Sequence, residues 1–361
     1  MVAAVRTITR YLAREIFKMT AFAFIAFVTL YAFFDVINEL GYVGTGGYRL
    51  PQAFLFVGLS LPGHVYELFP IAVLVGTLAA LSTLAANSEY TVMRASGFSP
   101  AQAGGTLVRV GLVLVLLVLV FGEVVAPQAE RTAQRLRLER LGAPVASELR
   151  TGLWVKSDTQ FVNIGEVLPN STLKGIRIFD FDRDFRLLSI SRAETGSYAG
   201  ENTWRLADVV ETRFRESGAT VRKIESVDWA SVLTPEMLSV LLVAPEKLSL
   251  WELYDYTQHL TANKQRSDRY EIALWNKLLY PLTVLVMMAL ALPFAYLHIR
   301  TGGVGLKLFF GLMLGVLFNF LNNLFSHVAV LEQWTPLAAA ALPSAIFLAT
   351  AVAMMWWVER R

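Results

Sequence analysis

The stretch that decides the fold class is residues 101–126, which read AQAGGTLVRVGLVLVLLVLVFGEVVA. A helix needs about 20 apolar residues to cross the hydrocarbon core of a bilayer, which is about 30 Å thick. This stretch is long enough, and Arg109 and Glu123 are its only charged residues. Pro100 and Pro127 stand directly outside its two ends. The stretch therefore predicts a transmembrane helix bracketed by two prolines.

Five other stretches have the same apolar character, two before this one and three after it. They cover approximately residues 18–35, 67–86, 278–297, 306–326 and 336–358. The second of them is preceded by a loop at 41–51 and by residues 51–61, which are expected to lie as an interfacial helix. Pro62 and Pro70 are expected to break or kink the chain. The sequence therefore predicts six membrane spans.

The composition agrees with a membrane protein. Hydrophobic residues make up 55% of the 361 residues and charged residues only 17%, with a mean hydropathy of +0.49, which is rare for a soluble domain. The chain has no cysteine, which excludes disulfides and thiolate metal sites. A net charge of +3 is too small to indicate a nucleic-acid partner. No small-residue cleavage site follows the first apolar stretch, so we expect that span to be retained.

Lysine and arginine residues outside the middle of the chain are distributed unevenly between the two sides of the predicted bundle. Ten fall on the side of the termini: Arg6, Arg10, Arg14, Lys18, Arg94, Arg109, Arg300, Lys307, Arg360 and Arg361. Arg49 and Lys277 fall on the other side. Basic residues concentrate in cytoplasmic loops, so both termini are predicted to be cytoplasmic, in agreement with an even number of spans. The middle segment, roughly residues 127–276, then lies outside the cytoplasm.

The middle segment differs in composition from the spans, with charges of both signs and frequent Gly, Asn and Pro. Short stretches with strand character occur at 152–155, 161–164, 174–181, 203–210 and 219–227. Short strands separated by turn residues predict a β-sandwich or a jelly roll. Helical arms at 130–141 and 249–260 are expected to connect this domain to the membrane. The second arm is expected to begin with a capping box formed by Ser249 and Glu252.

Motifs for catalysis and metal binding are missing from the sequence. Residues 301–307 (TGGVGLK) lack the G-x-x-x-x-G-K-[ST] spacing of a nucleotide-binding loop and are expected to form a cytoplasmic turn. The histidines do not cluster as zinc ligands do; they are His64, His259, His298 and His327. Neither G-x-S-x-G nor H-E-x-x-H occurs. We expect no enzyme activity and no bound cofactor, so energy for any work must come from a partner.

The short cytoplasmic loop between the second and third spans, residues 87–100, reads NSEYTVMRASGFSP. It predicts a helix of two turns with Ser88 as the N-cap and Gly97 at the C′ position. The helix would carry Glu89, Tyr90, Met93 and Arg94. Aromatic and Met side chains are typical interface anchors, so one face of this helix would suit a cytosolic partner. An ordinary capped turn explains the same residues, and the local pattern leaves both interpretations open.

Polar residues inside the predicted spans also have two explanations. Asn319, Asn322 and Asn323 share one face of the fifth span at i, i+3, i+4 spacing. They are expected either to face a cavity or to form hydrogen bonds with a neighbouring helix. Acidic residues such as Asp35 and Glu123 lie near the ends of spans, where solvation accounts for them.

Several motifs occur in one order along nearly the whole chain. They are the loop stretch at 88–98, GEVVAPQ at 122–128, GLWV at 152–155, WNK at 275–277, and PL with MM at 281–288. In this order they resemble the LptF/LptG family, the permeases of the lipopolysaccharide exporter. Each motif alone is only moderately specific, whereas the ordered set is specific. Residues 122–128 and 275–288 favour the LptG branch over the LptF branch.

The resemblance implies an α-helical membrane protein with six transmembrane helices and a periplasmic all-β jellyroll domain inserted between helices 3 and 4. It divides the chain into helices 1–3 at 1–126, the periplasmic domain with helical connectors at 127–270, and helices 4–6 at 271–361. A coupling helix would lie near 88–97. Members are multi-pass proteins of the inner membrane of Gram-negative bacteria.

The resemblance also implies partners and a substrate. Two permeases, LptF and LptG, pair with each other, and a dimer of the cytosolic ATPase LptB docks on their coupling helices. LptC and further periplasmic bridge components join them. The complex extracts lipopolysaccharide from the inner membrane and passes it to the bridge toward the outer membrane. ATP and Mg belong to the ATPase, so this chain would bind no cofactor of its own.

The family pattern transfers to particular residues. Glu89, Tyr90, Met93 and Arg94 would couple the chain to the ATPase. Lipid contacts would come from Phe27, Tyr31 and Phe34 of the first span and from Phe318, Phe320, Leu321, Asn322 and Phe325 of the fifth. Relatives can carry lysines at the outer end of the first span to hold lipid phosphates, but residues 32–40 contain none. Arg49 is the candidate replacement, because a cation is the natural partner of a phosphate; otherwise the headgroup is recognised elsewhere.

Two alternatives remain at the level of the sequence. The chain could fill the LptF role in the same complex. It could also be a membrane-anchored scaffold that transmits motion without transporting lipid. Whether lipid co-purifies with the chain in mild detergent distinguishes a permease from a scaffold.

Overall fold

The computed structural model describes residues 2–141, 152–157, 159–168, 172–182, 184–200, 202–215, 218–231, 234–235, 244–262, 265–296 and 304–360. The helices are α1 (Val2–Leu40), α2 (Leu50–Ala86), α3 (Glu89–Ala95), α4 (Pro100–Val120), α5 (Ala126–Leu141), α6 (Leu250–Ala262), α7 (Asp268–Tyr296), α8 (Val304–Glu332) and α9 (Pro336–Glu359). Within these residues, six helical segments are long and apolar enough to cross a membrane: α1, α2, α4 with α5, α7, α8 and α9. The predicted number of spans is confirmed. Residues 301–303 of the turn predicted at 301–307 lie outside the described residues, whereas residues 304–307 are not a turn but the first residues of α8.

The chain does not break at Pro62, Pro70 or Pro127, and the separate interfacial helix expected at 51–61 is wrong; a kink at Pro62 or Pro70 stays a prediction. Residues Leu50–Ala86 form one helix, and Pro62 and Pro70 lie inside it. Neighbouring helices can satisfy the backbone groups that a proline frees inside a membrane helix, so an internal proline need not end it. Pro127 likewise lies in α5, directly after a π-helical turn at Phe121–Val125 that joins α4 to α5. The regular hydrogen-bond ladder is already interrupted there, so Pro127 is accommodated.

Helix α2 forms the centre of the bundle and packs on α1, α5, α7 and α8. In the most apolar 18-residue stretch of α2, 78% is buried within this chain, whereas the corresponding shares are 6% in α1 and 22% in α8. Two glycines bring α8 close to α2, since a Cβ at Gly315 would lie 3.0 Å from Ile71 and a Cβ at Gly311 would collide with Leu78. Helices α1 and α8 therefore leave most of their apolar surface uncovered by this chain.

The middle of the chain forms an antiparallel sheet. Its described strands are β1 (Leu153–Ser157), β2 (Gln160–Val167), β3 (Leu173–Phe181), β4 (Leu187–Gly200), β5 (Thr203–Arg215) and β6 (Gly218–Ala230). The order in the sheet is the order in the chain, which is a meander. A jelly roll needs crossover connections, and none occurs among the described strands. Of the predicted fold class, the six apolar helices and an antiparallel β domain between the third and fourth spans are confirmed.

Strand β4 is the element that sequence analysis missed. Its residues LLSISRAETGSYAG mix small, charged and apolar side chains without regular alternation. It becomes a strand because it pairs on both sides, with β3 and with β5. Gly196 is buried on its inner face, where a Cβ would lie 2.8 Å from Ile176 and 2.9 Å from Leu206. A small residue is therefore required at the point where the core is tightest.

The predicted helical arms correspond to α5 and α6. Glu252 accepts a hydrogen bond from the Ser249 N–H at 2.9 Å, and Ser249 Oγ accepts one from the Glu252 N–H at 3.3 Å. The predicted capping box at the start of α6 is confirmed. The N-terminus of α6 is thereby held at a defined place above the bundle, which matters for the site described next.

Candidate functional site

A cavity of about 480 Å³ lies among α1, α2, α7, α8 and α9. Its volume is in the range of small-molecule sites in proteins. Apolar residues such as Ile71, Leu279 and Phe318 line part of it. The rest of the wall is polar and includes Glu67, Asn276, Lys277, Asn319, Asn322 and Asn323. A cavity with one apolar and one polar portion suits an amphipathic ligand.

A buried ion pair borders this cavity. Lys277 of α7 is only 5% exposed, and its Nζ lies 2.9 Å from Oε1 of Glu123 in the π-helical turn. The second carboxylate oxygen of Glu123 accepts a hydrogen bond from the Leu250 N–H at 2.6 Å, at the first residue of α6. A carboxylate is favoured at a helix N-terminus. Glu123 therefore joins three segments that are far apart in sequence: the third span, the fourth span and the arm that returns from the β domain.

Two stacked tyrosines support the ion pair. The rings of Tyr66 and Tyr280 are parallel with centroids 4.0 Å apart, and the Tyr280 hydroxyl donates to the Tyr66 carbonyl at 2.8 Å. Lys277 Nζ lies 5.2 Å from the centroid of the Tyr66 ring, a cation–π distance. Gly122 is required here, because a Cβ at this position would collide with the Tyr66 ring. The π-helical turn thus places a glycine against the aromatic pair and an acid against the lysine.

Further ion pairs fasten the connector α5. Glu130 is 3% exposed and its Oε1 lies 3.1 Å from Lys247 Nζ, in the segment that returns from the β domain. Arg131 forms an ion pair with Glu252 of α6. Both contacts join the outgoing and returning arms of the β domain, so the two arms are held together.

The loop between α1 and α2 is tied to α5 in a similar way. Glu39 is 3% exposed; it accepts a hydrogen bond from the Tyr48 hydroxyl at 2.6 Å, and its carboxylate lies 3.4 Å from Arg137 Nε. Burial raises the pKa of Tyr48 well above its ordinary value, and the bond to Glu39 raises it further. Tyr48 therefore stays protonated and donates at every physiological pH.

A comparison with known proteins places these features in a family. The model of the lipopolysaccharide export system permeases LptF/LptG matches residues 10–357. The chain belongs to the LptF/LptG family. LptG of Escherichia coli K12 is 32% identical over 354 residues, which is 98% of each chain. LptG of Haemophilus influenzae Rd is 30% identical over 358 residues, which is 99% of each chain. The predicted resemblance and the predicted function of a lipopolysaccharide export permease are confirmed.

The predicted lipid-contact residues of this LptF/LptG permease separate into two groups. Tyr31, Phe318 and Asn322 line the cavity inside the chain. The other candidates lie outside its lining: Phe27, Phe34, Phe320, Leu321 and Phe325. Of these, Phe34 and Phe320 are 52% and 60% exposed, on the uncovered faces of α1 and α8. Phe325 packs instead against Trp334, with ring centroids 6.1 Å apart.

The predicted headgroup residue lies elsewhere. Arg49 is exposed directly before α2 and does not line the cavity. The cation in the cavity wall is Lys277, which sequence analysis noted as a basic residue on the outer side and as part of the WNK motif, but not as a site residue. In residues 32–40, where relatives can carry lysines, Asp35 places its Oδ2 2.5 Å from His64 Nε2. The signal that was missed is the presence of Glu123 and Lys277, each at the outer end of an apolar span. Pairing of the two charges explains them as well as solvation does.

The loop helix α3 differs from its prediction in two ways and agrees with it in a third. Tyr90 and Met93 are 4% and 7% exposed and pack into the bundle core, so they anchor α3 rather than offering a surface. Ser88 has a left-handed backbone (φ 59°) and makes no capping bond to α3. Gly97 does occupy the C′ position (φ 90°), in a Schellman motif closed by bonds to the Arg94 and Met93 carbonyls.

Buried anchors leave the opposite face of α3 accessible. Thr91 and Arg94 are exposed, and Val92 is 65% exposed. Glu89 is half-buried and accepts a hydrogen bond from the Tyr11 hydroxyl of α1 at 2.8 Å. The face available to a partner is therefore formed by Thr91, Val92 and Arg94, with Glu89 at its junction with α1. Within the described residues, no group of three or more His, Cys, Asp or Glu side chains is placed to hold a metal ion.

Proposed function

We propose that this chain is the LptG-type permease subunit of an exporter that takes lipopolysaccharide from the inner membrane and delivers it to a periplasmic bridge. The observation that carries the proposal is the bare apolar surface of α1 and α8, the two spans that this chain covers least. Such faces are expected to border lipid or a second membrane subunit. They include Phe22, Phe33 and Phe34 on α1 and Phe309, Phe310 and Phe320 on α8, all at least half exposed.

The partners follow from the family. The bare faces of α1 and α8 are proposed to meet the paired permease LptF and to enclose the acyl chains of the lipid between the two subunits. A dimer of the ATPase LptB is proposed to bind ATP and Mg and to dock on α3, with LptC and the bridge receiving the lipid. The relatives with about 30% identity are LptG proteins, which favours the LptG role over the LptF role.

The experiment that tests this function is an affinity isolation of the chain from native membranes, with mass spectrometry of proteins and lipids. Recovery of a cytosolic ABC ATPase, a second six-span permease and lipopolysaccharide is the expected result. Recovery of periplasmic proteins without ATPase and without lipid would favour a scaffold that transmits motion only. A membrane protein of similar size expressed with the same tag is the control for lipid that adheres to any hydrophobic surface.

We infer that both termini and α3 are cytoplasmic and that the sheet, within a domain at residues 127–270, is periplasmic and extends the lipid path. The uneven distribution of lysine and arginine supports this orientation. The absence of native cysteine allows a direct test with single cysteines at two exposed positions, Val92→Cys in α3 and Thr220→Cys in β6. In cells with a permeabilised outer membrane, an impermeant maleimide should label the second variant only. Labelling of the first variant alone would reverse the orientation.

Glu89→Ala is predicted to weaken docking of the ATPase by about tenfold without affecting membrane insertion. A hydrogen bond to a charged group contributes about 1.5–3 kcal/mol, and about 1.4 kcal/mol corresponds to a factor of ten. The measurement is ATPase binding to the purified permease pair in nanodiscs. Tyr11→Phe is the matched control, because it removes the same hydrogen bond from the α1 side.

The two variants together assign the role of Glu89. If Tyr11→Phe weakens docking as much as Glu89→Ala does, Glu89 acts by positioning α3 against α1. If only Glu89→Ala weakens docking, Glu89 contacts the ATPase directly. Full docking and full transport in Glu89→Ala would remove this position from the coupling surface.

A further inference from the structure

The polar wall of the cavity has a composition that neither acyl-chain contact nor ATPase coupling explains. Asn276 of α7 and Asn319, Asn322 and Asn323 of α8 all border it. Each amide offers two donors and an acceptor without any net charge. Polar side chains in membrane helices are costly unless they meet a polar partner. Four amides around one cavity therefore call for a polar, hydrogen-bonding ligand or for bonds among themselves.

Hydrogen bonds within the protein use only a few of the donors and acceptors of these four amides. Asn323 Nδ2 donates to Asn319 Oδ1 at 3.1 Å, and Asn276 Nδ2 donates to Ser326 Oγ at 3.4 Å. The Tyr66 hydroxyl is buried and has no hydrogen-bond partner among the described residues. A buried hydroxyl without a partner loses its hydrogen bonds to water without gaining others, which costs free energy. A bound group that forms a hydrogen bond with it would therefore be stabilised.

The charges around the cavity select against an anion. Glu67 and Glu246 line it with two carboxylates, while the charge of Lys277 is already paired with Glu123 at 2.9 Å. The two carboxylates also have basic neighbours, His64 Nδ1 at 3.7 Å from Glu67 and Arg269 Nη2 at 3.8 Å from Glu246. A phosphate entering here would therefore meet two carboxylates and a lysine whose charge is already paired. Among its described lining residues this wall therefore offers no unpaired cation for a phosphate. A neutral group with many hydroxyls avoids the repulsion and can donate to the carboxylates.

Aromatic surface completes the site. Tyr66 and Tyr280 are stacked beside the cavity, and Tyr31 borders it from α1. A tyrosine ring presents a large apolar face next to a polar hydroxyl, which matches a sugar ring with its apolar faces and polar rim. Amides, carboxylates and tyrosine rings around about 480 Å³ together fit a saccharide.

We propose that the cavity bordered by Tyr66 of α2, Asn276 of α7, and Asn319 and Asn322 of α8 binds a neutral sugar unit of the exported glycolipid. The inference rests on the proposed function for the origin of the sugar, but the site is defined by residues of this chain alone. It assigns sugar recognition to the interior of one subunit, separate from the acyl-chain surface on the outside of α1 and α8.

The test measures sugar binding directly. The full chain in nanodiscs of neutral phospholipid is titrated with N,N′-diacetylchitobiose (called chitobiose below), a neutral disaccharide. It is titrated separately with inorganic phosphate and with ethanolamine, and binding is followed by saturation-transfer NMR. Chitobiose is expected to bind and the two ions are not. Asn322→Leu and Tyr66→Phe should each weaken chitobiose binding about fivefold or more, the equivalent of a lost hydrogen bond.

A matched control lies on the same helix. His327 is exposed on α8 outside the cavity lining, so His327→Leu makes a similar polar-to-apolar change and should leave chitobiose binding unchanged. Tyr66→Phe should also raise the thermal stability of the empty chain, since it removes the buried hydroxyl without a partner. A drop in stability together with unchanged binding would mean that the hydroxyl serves packing only.

Other outcomes overturn the proposal. Binding of phosphate alone would make the cavity an anion site, and binding of ethanolamine alone would make it a cation site. No binding of any probe would mean that the cavity is filled by lipid chains or by repacking. Lipopolysaccharide release by the complete wild-type exporter in proteoliposomes distinguishes failure of this inference from failure of the proposed function. Release without chitobiose binding would overturn the sugar site only. No release would overturn the proposed function.

Discussion

Glu123→Gln is expected to lower the free energy of unfolding of the membrane bundle by about 3 kcal/mol or more. The change is nearly isosteric, but it leaves the Lys277 ammonium, only 5% exposed, without a counter-charge. Removing one partner of a buried ion pair typically costs about 3–5 kcal/mol, because the remaining charge stays desolvated. The weakened acceptor for the Leu250 N–H adds to the loss at the start of α6. The expected result is an earlier midpoint of SDS-induced unfolding in mixed micelles, followed by circular dichroism.

The double variant Glu123→Gln with Lys277→Met is the decisive control. It replaces the pair by neutral groups of similar size, which is often neutral or stabilising, so most of the lost stability should return. Asp228→Asn breaks the Arg205–Asp228 pair on the sheet, where both side chains are more than half exposed, and should have no measurable effect. If the double variant is as unstable as Glu123→Gln alone, the ion pair is not the source of the effect. If the double variant does regain stability, the single and double variants should also differ in transport, because the pair joins the β-domain arm to the spans.

The fold was predictable from sequence wherever the deciding information is local. Each span is a continuous apolar stretch, so its existence follows from composition alone, as does the helix C-terminus at Gly97. Proline misled the analysis at positions 62 and 70, because its effect depends on neighbouring helices that the local pattern does not contain. Strand β4 was missed for the same reason, since its pairing with β3 and β5 comes from chain segments outside it.

The site was less predictable because its contacts are long-range. Glu123 and Lys277 are separated by 154 positions, and neither residue carries a local sign of the other. The family resemblance indicated Tyr31, Phe318 and Asn322 among the lipid contacts, and the structure brings these three to one cavity. The orientation of α3 could not be predicted, because a seven-residue helix with Tyr90 and Met93 on one face fits equally well with that face inward or outward. The burial of both residues is decided by the bundle core beneath them.

Phe318→Ala and Phe320→Ala are expected to have different consequences although the two residues are only two positions apart on α8. Phe318 is 7% exposed and packs edge-to-face on Phe347 with centroids 5.1 Å apart, inside a cluster that includes Leu74 and Met287. Truncating a buried phenylalanine costs about 3–5 kcal/mol through lost contacts and the cavity left behind. Phe318→Ala should therefore lower the SDS midpoint strongly and reduce recovery of the assembled exporter.

Phe320 is 60% exposed on the bare face of α8, so its truncation should leave the SDS midpoint of the chain almost unchanged. If that face holds the acyl chains, Phe320→Ala should reduce photocrosslinking of lipopolysaccharide by about tenfold, the effect of losing about 1.4 kcal/mol of contact energy. The exposed Phe309 of the same helix gives a matched comparison, since Phe309→Ala tests whether any exposed phenylalanine on α8 has the same effect. Equal crosslinking in wild type and Phe320→Ala would place the acyl chains on another surface. A large loss of stability in Phe320→Ala would instead mean that the paired permease covers this residue, so both quantities must be measured on the isolated chain and on the assembled pair.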